Sequence, residues 1–467
     1  MEMTNLGNTA SFLEACHNIG KDLLKSDNSH PFYVFSHFDA DGLTAAAIIA
    51  KTLSREGLNF QLRIFERLEY ESLNDLRKSI PKGSIIIFLD LGTGIIETFL
   101  DWQESHKIFI LDHHTPSSEV ELINEIRYLN PHSYSIDGTS AVSGAGVAYF
   151  VSIHINPQNK DLAPLAIIGA LGDRQDQGEK SSLYKLNEII VKDAKENEMI
   201  SDKISVWFFD RSRSIISILQ RAQFIGFENE LEIRLFLNKL NINYLKNEEQ
   251  RPFNDLSEEE CRRLASELII QRNIDPNEIY KRDYQLINEE ITFLKDARVF
   301  ATKLNACGKS QRPDIGISLC LGDRQSALRD LNIIEKTYSR MIAKSMKWTL
   351  SENHIDELSG IFFLDGRGKI NDRIIGTIIS MLSSRKEHKL KPILGCSQTE
   401  TNKIKISMRV SRFHPTKIDL SHLLKQVAEE MDQKFEVGGH AAAAGAMISE
   451  KFLNDFVFRV NQIAERK

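Results

Sequence analysis

Acidic and histidine side chains follow three apolar runs of the chain, and their types suit metal chemistry. The runs are FYVFSH, SIIIFL and KIFIL, and the polar residues come where each run ends. The set comprises, in chain order, His37, Asp39, Asp41, Asp90, Asp112, His113 and His114. Imidazole and carboxylate groups without cysteine form a donor set that suits Mn²⁺, Mg²⁺ or Zn²⁺. These residues are therefore candidate metal ligands.

The elements around these residues should bring them together. Short apolar runs alternate with helical patterns, which predicts a parallel β-sheet covered by helices on both faces. TSAVSGAGVAYFVSIHI and DLAPLAIIGALGD read as two buried helices, and Asp173 ends the second. Ligand sites in open α/β sheets lie outside the carboxyl ends of the strands. The three clusters and Asp173 should therefore converge at one edge of the sheet.

The number of carboxylates favours two metal ions over one. So many acidic groups would repel one another unless cations neutralise them. One ion would leave ligands unused, whereas two ions bridged by one aspartate would use them all. Two ions roughly 3.5–4 Å apart are the arrangement for in-line phosphoryl displacement. Taken one at a time, these residues could instead have structural roles. Asp41 before Gly42 would cap a helix, and DHH would form a turn.

Composition narrows the class of protein. The chain has 467 residues, too many for one ordinary core, and is 42% hydrophobic and 27% charged, as soluble globular proteins are. It has no apolar run of about eighteen residues and no signal-peptide pattern, so we expect no membrane partner. Single, scattered cysteines exclude a CxxC zinc site and fit a reducing cytoplasm. A net charge of −6 argues against nonspecific coating of nucleic acid but allows a local basic groove.

Several motifs carry a family resemblance. SHFDADG, LDLG, LDHHTP and GALGD resemble, in this order, the four motifs of the DHH phosphoesterase superfamily. VGGHAAAAG resembles the GGH signature of the DHH-associated C-terminal domain, and LNACGKSQRPDIGISLCLGD resembles the region that closes the catalytic domain of RecJ-type nucleases. LNPHSYSIDGTSAVSGAGVAYF resembles the archaeal RecJ-like branch, which includes the GINS-associated nuclease. The superfamily also contains the eukaryotic helicase cofactor of the replisome, whose catalytic motifs have decayed.

The resemblance implies the domain organisation. We expect an α/β protein with a parallel-sheet DHH catalytic domain, a helical insertion, a long connecting helix and a smaller α/β DHH-associated domain that binds nucleic acid. The predicted bounds are residues 1–184 and 299–322 for the catalytic domain, 185–298 for the insertion, 323–355 for the connecting helix and 356–467 for the C-terminal domain.

The resemblance also implies roles for the candidate residues. The metal ligands would be His37, Asp39 and Asp90 for the first ion, and Asp41, Asp90, His113 and Asp173 for the second. Asp90 would thus bridge the two ions. His114 would contact the scissile phosphate, and Asp112 would orient the neighbouring imidazoles. Phe38 departs from the family pattern, in which a polar or charged residue is common, and is expected to alter the pocket wall.

Substrate contacts are expected from both domains. Lys309 stands where the family usually has arginine, and lysine offers a point charge in place of a bidentate fork. VGGH would present unblocked backbone N–H groups to a phosphate, with a helix N-terminus directly after it. A structural interpretation is open for each motif. VGGH would then be a tight turn before a packed helix, and KIKISMR, which contains Arg409, would be a solvated edge strand. The predicted contacts are Asn305, Lys309, Arg409, Gly438, Gly439 and His440.

The predicted function is hydrolysis of single-stranded DNA or RNA to nucleotides. The enzyme would be a two-metal exonuclease, with Mn²⁺ or Mg²⁺, in archaeal DNA replication or repair. One alternative is a replisome scaffold that binds the GINS complex through apolar helix faces of the insertion, near LEIRLFLNKLNINYL. The other is a phosphodiesterase of short oligonucleotides or cyclic dinucleotides, although the length of the chain argues against it.

Overall fold

The computed structural model describes the chain in two compact units. The described residues are 2–26, 29–66, 68, 70–116, 126–351, 354–388, 390–411, 414, 418–433 and 435–466. The first unit comprises Met1–Gln220 and Asn229–Glu335, and the second comprises Arg221–Glu228 and Lys336–Lys467. Each unit contains a β-sheet with packed helices, so the predicted α/β class is confirmed.

The first unit is built on a parallel sheet. Its strands are β1 (Phe32–His37), β2 (Phe60–Phe65), β3 (Ile85–Leu89), β4 (Lys107–Leu111) and β5 (Ile126–Leu129). They are ordered β2-β1-β3-β4-β5, and every pair is parallel. All residues of β3 are buried, which explains why its sequence is continuously apolar. The strand order reverses between β1 and β3, and such a reversal opens a crevice at the carboxyl edge.

Helices pack around this sheet. They are α1 (Glu2–Leu24), α2 (Ala40–Arg55), α3 (Tyr70–Ser79), α4 (Gly144–Ile155) and α5 (Ala163–Gly172). The helix α2 contacts both α4 and α5, and α1 contacts α4. Nearly every residue of α2 is buried, and its alanines allow neighbouring helices to approach closely. The first turn of α2 is therefore held rigidly beside the carboxyl edge of the sheet.

The segment over residues 185–298 is helical only in part. Its helices are α6 (Leu186–Glu196), α7 (Ile215–Arg221), α8 (Glu230–Lys239), α9 (Glu258–Arg272) and α10 (Pro276–Ile279). It also contains the antiparallel pairs β6 (Ile200–Val206) with β9 (Tyr280–Leu286), and β7 (Leu245–Lys246) with β8 (Glu249–Gln250).

Ion pairs explain why the pattern of apolar residues does not predict strands β6 and β9. Asp202 of β6 accepts a 2.7 Å hydrogen bond from Arg282 of β9. Buried Asp283 accepts a 2.6 Å hydrogen bond from Arg211. Charged residues thus occupy positions that apolar residues fill in an ordinary strand, and the apolar alternation that predicts a strand is lost.

Three helices complete the first unit and lead to the second. They are α11 (Ala297–Lys309), α12 (Pro313–Leu321) and α13 (Ser326–Ser351). Both α11 and α12 contact α2, so the RecJ-like middle of the sequence lies against the helix that begins at the first cluster. The helix α13 fits the predicted long connecting helix and continues into the second unit.

The second unit is a mixed sheet with helices on both faces. Its strands are β10 (Ile355–Glu357), β11 (Phe362–Asp365), β12 (Ile393–Gln398), β13 (Lys403–Arg409), β14 (Glu436–His440) and β15 (Ala443–Ser449), ordered β10-β11-β12-β13-β15-β14. Its helices are α14 (Asp372–Ser383), α15 (Leu420–Glu430) and α16 (Leu453–Glu465). Neighbouring residues Ile393 and Leu394 of β12 join different hydrophobic clusters, one with α13 and α14 and the other with α15 and α16.

The structure corrects the prediction of a helix after VGGH. This stretch is β14, and the Ala-rich run after it is β15, so the two form a hairpin with Gly438 opposite Gly445. Burial alternates along β15, with Ala444 and Ala446 facing the core. A run of alanine and glycine shows little alternation of apolar and polar residues, so the sequence does not indicate a strand. The run is a strand because it pairs with its neighbours in the sheet. The strand β13 lies inside the sheet, so KIKISMR is not an edge strand either.

Within the described ranges, no helix has both the length and the apolar character needed to cross a membrane.

Replacing Phe88 by alanine should destabilise the first unit strongly. Its buried ring packs against Phe35, Phe99 and Trp102, with ring centroids 5.3, 4.4 and 6.1 Å away. We expect a loss of about 3–5 kcal/mol in the free energy of unfolding, measured by urea denaturation followed by circular dichroism. Phe458→Ala is the control, since that side chain is 57% exposed. Equal losses for the two variants would contradict this packing.

Candidate metal centre

The structure brings the three predicted clusters together at the carboxyl edge of the parallel sheet. They follow β1, β3 and β4, and Asp173 joins them from the end of α5. Three groups of donor atoms lie within 4.8 Å of one another, namely His37, Asp39 and Asp90; Asp41, His113 and Asp173; and Asp90, His113 and His114. The first group contains the three residues that the resemblance implies for the first ion, and the second contains those implied for the second ion without Asp90. The assignment of these residues as ligands stays a prediction.

Asp90 lies at the centre of the site and faces both groups. One of its carboxylate oxygens, Oδ2, is 3.6 Å from His37 Nδ1, and the other, Oδ1, is 3.2 Å from His113 Nε2. Its backbone has a φ of 56°, in the left-handed region that aspartate adopts only at some cost. A 2.9 Å hydrogen bond from its N–H to the Leu111 carbonyl ties this bend to β4. The geometry suits a carboxylate shared by two cations.

His113 is fixed in one tautomer. Its Nδ1 lies 2.8 Å from the carbonyl oxygen of Gly138, which can only accept, so Nδ1 carries the proton. The other nitrogen, Nε2, faces Asp173 Oδ2 at 3.1 Å and Asp90 Oδ1 at 3.2 Å. A backbone carbonyl behind the ring therefore leaves Nε2 as the donor atom toward the acidic cluster.

Asp41 is fully buried and held by the start of α4. Its two oxygens accept hydrogen bonds from the N–H groups of Gly144 (2.6 Å) and Ala145 (2.9 Å). Amides at a helix N-terminus stabilise a negative charge. Burial and the charges of Asp90 and Asp173 nevertheless raise the pKa of Asp41 well above its usual value. A nearby cation would relieve this repulsion.

Asp39 and Phe38 shape the first group. Asp39 accepts a 3.0 Å hydrogen bond from Gly42 N–H and caps α2, so the cap is this residue and not Asp41. Its second oxygen is 3.0 Å from His37 Nδ1. The Phe38 ring packs edge-on against the His37 imidazole, with centroids 4.7 Å apart, and thus limits the ring's rotation. A side chain at Gly308 of α11 would collide with the Phe38 carbonyl, at 1.9 Å.

Asp112 organises the turn beside the site. Its Oδ1 accepts hydrogen bonds from the N–H groups of His113 (2.8 Å) and His114 (3.2 Å), and Oδ2 accepts one from Thr93 N–H (2.9 Å). Burial would raise the pKa of Asp112, but the neighbouring His114 holds it well below its usual range. Asp112 Oδ1 also lies 2.8 Å from Nδ1 of His114, whose side chain is 49% exposed. Asp112 therefore orients the His114 ring, whereas a backbone carbonyl orients His113.

The donor atoms fit a divalent cation. Buried polar atoms in proteins nearly always form hydrogen bonds. Three buried atoms of this cluster, His37 Nδ1, Asp90 Oδ1 and His113 Nε2, form no directed hydrogen bond with a described group. All three converge on the acidic cluster, and imidazole nitrogen with carboxylate oxygen is a ligand set for Mn²⁺ or Mg²⁺. The residues present therefore match the metals that the sequence predicts.

The carboxylates of the cluster raise the pKa values of the two imidazoles that face it. Burial alone would lower the pKa of His37, but the charges of Asp39 and Asp90 hold it well above its usual value. Burial opposes protonation of His113 too, and its pKa is held well above the usual value by Asp173 and Asp90. Protons and metal ions thus compete for the same two imidazoles.

Two helix glycines make this arrangement possible, although neither is among the site residues predicted from the sequence. A Cβ at Gly144 would lie 2.7 Å from Asp90 Cβ, and a Cβ at Gly169 would lie 2.4 Å from Asp41 Oδ1. Glycine weakens a helix by about 0.5–1 kcal/mol relative to alanine, so its presence in SGAG and IIGALG is a signal of close approach. The acidic side chains fit because these helix surfaces carry no side chain.

The predicted substrate residues of the first unit lie on α11. The side-chain oxygen of Asn305 accepts a 3.0 Å hydrogen bond from Ala40 N–H, at the start of α2. Asn305 therefore supports the loop that carries the first group of donors. Lys309 is half-buried at the last residue of α11, next to Gly308.

The remaining predicted contacts belong to the second unit. Arg409 donates hydrogen bonds to Ser380 Oγ at 3.1 Å and to the Met408 carbonyl at 2.8 Å, so its guanidinium is braced against α14. Gly438 and Gly439 are exposed on β14, and Gly439 has a φ of 122°, which favours glycine. The side chain of His440 lies outside the described residues. Roles for these residues in substrate binding stay predictions.

Two family models match the chain. Residues 31–170 match the DHH family, N-terminal domain, and residues 360–466 match the DHHA1 domain. A relative from Methanocaldococcus jannaschii, an uncharacterized protein, is 28% identical over 439 residues, which is 92% of each chain.

Solved structures share the fold. RecJ from Thermus thermophilus in complex with Mn²⁺ has a TM-score of 0.59 at 16% identity, over 98% of this chain and 55% of that chain. This chain thus spans about half the length of that RecJ. A second exonuclease RecJ bound to manganese has a TM-score of 0.56 at 17% identity, over 98% and 94% of the two chains. CDC45 from Entamoeba histolytica has a TM-score of 0.61 at 14% identity, over 97% and 99%.

Gly144→Ala should weaken metal binding without unfolding the protein. The added methyl would push Asp90 away from the position between the two donor groups. We expect Mn²⁺ affinity to fall about 10- to 100-fold, the range seen when a ligand's support is lost, measured by isothermal titration calorimetry. The control is Gly94→Ala, where a Cβ would meet nothing within 4 Å. Unchanged affinity in Gly144→Ala would refute the role of this contact.

Mn²⁺ binding should strengthen as the pH rises. His37 and His113 bind a cation only as neutral imidazoles, and their raised pKa values mean that protons must leave first. Affinity should therefore increase from pH about 6.5, the ordinary histidine pKa, upward. Calorimetry in buffers of different ionisation enthalpy should detect the released protons. An affinity that does not change with pH would be inconsistent with this competition.

Proposed function

This chain belongs to the DHH superfamily and has a RecJ-like fold, and from that premise we propose that it is a metal-dependent exonuclease. Its reaction is hydrolysis of phosphodiester bonds in single-stranded DNA or RNA, releasing nucleotides, in archaeal DNA replication or repair. The relatives whose structures match in fold include RecJ exonucleases bound to manganese, which supports the reaction class and the choice of metal.

The observation that carries this proposal is the position of Asp90. Each of its two oxygens faces a different imidazole, His37 on one side and His113 on the other. Such a shared carboxylate lets two cations be held close together, as in-line displacement at phosphorus requires. Divalent cations bound there would neutralise the phosphate and make a water molecule acidic enough to attack. A nucleophile supplied by the protein is then unnecessary.

The residues of the chain position the reactants. His37 and Asp39 form one side of the site, and Asp41, His113 and Asp173 form the other. Asp112 holds the half-exposed ring of His114 through Nδ1, which leaves the second ring nitrogen available to contact the scissile phosphate. In this proposal His114 is a catalytic residue and Asp112 is a positioning residue.

A second role, docking to a replisome complex, is supported by the insertion. Leu231 and Leu235 lie four residues apart on α8 and are 66% and 62% exposed. Residues at this spacing share one helix face, so the two leucines form an apolar surface. The partner in this proposal is an archaeal GINS complex, which the resemblance to the branch of the GINS-associated nuclease implies. The two roles are compatible, because the leucines are not part of the metal centre.

Asp90→Asn should abolish nuclease activity. The amide keeps the size of the side chain but loses the charge shared by the two donor groups. The assay follows 5′- and 3′-labelled single-stranded DNA and RNA 20-mers in Mn²⁺, in Mg²⁺ and in EDTA. Wild-type protein should release labelled nucleotides only with metal, and Asp75→Asn, whose side chain is 86% exposed, should behave as wild type.

Three outcomes would count against parts of this proposal. No digestion by the wild type in either metal would refute the exonuclease. Faster hydrolysis of a dinucleotide than of the 20-mer would favour the short-oligonucleotide phosphodiesterase. Loss of GINS binding in Asp90→Asn, or no binding by the wild type, would remove the separate scaffold role.

A further inference from the structure

The second half of α13 carries a stripe of positive charge. Four basic residues recur at helical spacing and are exposed, namely Lys336, Arg340, Lys344 and Lys347. At 3.6 residues per turn and 1.5 Å per residue they lie on one face over about 16 Å. The sequence from 336 to 351 contains no acidic residue, and none of the four forms an ion pair with a described acidic side chain. We call these four residues the α13 stripe.

The stripe is unusual for a solvated helix face. Exposed helix surfaces normally mix both signs of charge, as α9 does with its Glu–Arg pairs. The whole chain has a net charge of −6, so a surface of one positive sign is a local departure. The opposite side of α13 is rigidly packed, since Tyr338, Met346 and Trp348 contact the hydrophobic cluster beneath α14. The cations are therefore presented on a fixed support.

The stripe leads to a cleft with an aromatic wall. The cleft has a volume of about 780 Å³, and its lining includes Trp348, Ser351, His354, Arg367, Lys369 and Gln398. The His354 imidazole stacks on the Trp348 indole, with centroids 4.1 Å apart and ring planes at 28°. His354 Nδ1 lies 2.9 Å from the Trp348 carbonyl oxygen, which holds the stack in place. Both residues are half-buried, so part of this aromatic surface faces solvent.

Both acidic groups of the cleft, Asp365 and Glu450, pair with Arg367, and the charge of Lys369 balances the second carboxylate. The Arg367 side chain donates three hydrogen bonds to the Asp365 carboxylate, at 3.0, 3.1 and 2.6 Å, and one to Glu450 at 2.8 Å. Lys369 is exposed and forms no ion pair with any acidic side chain in the described ranges. The cleft thus offers one unpaired cation next to a stacked aromatic pair.

The cleft lies at the opposite end of the strands from the turn of the glycine hairpin. It is lined by the ends of β11 and β12 and by Glu450, directly after β15. In the register of the sheet, Arg409 and His440 are both opposite Ala443, at the beginning of β15. The stripe and cleft are therefore distinct from the contacts that the VGGH motif predicts.

We propose that the α13 stripe and this cleft together bind single-stranded nucleic acid, away from the predicted VGGH contacts. Phosphates lie along the stripe, and an unpaired base stacks on the His354–Trp348 pair near Lys369. Aromatic stacking beside a basic track is how proteins hold single strands without sequence preference. In a duplex the faces of the bases are covered by their neighbours, and an acidic protein segment contains no bases. Neither ligand would therefore place a base on the His354–Trp348 pair. The identity of the ligand rests on the proposed nuclease function.

The test measures binding without hydrolysis. Full-length protein in EDTA is titrated into a fluorescein-labelled single-stranded 20-mer, followed by fluorescence anisotropy at several salt concentrations. The double variant Lys344→Glu/Lys347→Glu should bind about tenfold or more weakly, and its salt slope should fall by about 1.4, for two lost phosphate contacts. The matched control is Lys192→Glu/Lys425→Glu, which makes the same charge change at exposed positions on α6 and α15.

The aromatic wall is tested separately. His354→Ala should weaken binding of the 20-mer about fivefold or more but leave binding of an abasic 20-mer unchanged. His354→Phe should restore binding, because it keeps a ring that can stack. Thermal unfolding shows which variants are folded. If a variant is not folded, the test is instead the competition of duplex DNA or poly-glutamate with the single strand for the wild-type protein.

Several results would overturn the inference. One is binding of the 20-mer by the double variant with wild-type affinity. Another is that the double variant loses affinity for single-stranded and duplex DNA equally, while His354→Ala has no effect. Competition by poly-glutamate or duplex DNA as effective as by the single strand would indicate a general anion surface. Because binding is measured without metal, failure of the wild type to digest the 20-mer would refute the nuclease and leave this binding result intact.

Discussion

A single carboxylate shared between two groups of donors is the constraint on which the rest of the first unit depends. Asp90 can face both His37 and His113 only because it directly follows the central strand β3, with β1 on one side and β4 on the other. The strand order that reverses beside β3 opens the crevice into which the residue projects. The left-handed backbone at Asp90 and the bare surface at Gly144 complete the position.

The burial of negative charge is the cost of this arrangement, and several devices offset it. Backbone amides at the start of α4 hold Asp41, and backbone amides of the DHH turn hold Asp112. These hydrogen bonds position the carboxylates, but burial and mutual repulsion still raise the pKa of Asp41. Cations that bind the folded chain and not the unfolded one would stabilise it, so metal binding and folding are linked.

The second unit uses a different means to present polar groups. Its sheet is covered by helices on both faces, so the strand ends, the edge strands and the exposed helix surfaces are the places open to ligands among the described residues. One end carries the glycine hairpin, where Gly439 adopts a backbone that favours glycine. The other end carries the cleft beside α13, where Arg367 pairs with the acidic groups and leaves Lys369 unpaired within the described ranges. The two ends therefore differ in chemistry, because the hairpin end exposes glycine backbone and the other end presents a stacked aromatic pair.

The sequence by itself determined the parallel sheet and the set of residues at its edge. Continuous apolar runs predict strands buried on both faces, and parallel strands necessarily place residues such as His37, Asp90 and His113 at the same edge. These inferences depend on local pattern and on one topological rule, so they need no knowledge of which distant segments pair.

Only the tertiary structure decided the features that depend on distant partners. The strands β6 and β9 contain charged residues whose partners are far along the chain, and β15 is a strand because β13 and β14 lie beside it. In the site, the capping role of Asp39, the ring contact of Phe38 and the need for Gly144 and Gly169 arise from close approach between atoms that packing brings together. The pattern of residue types in a sequence indicates whether a side chain is buried or exposed. Which atoms contact that side chain is determined by the packing of distant segments.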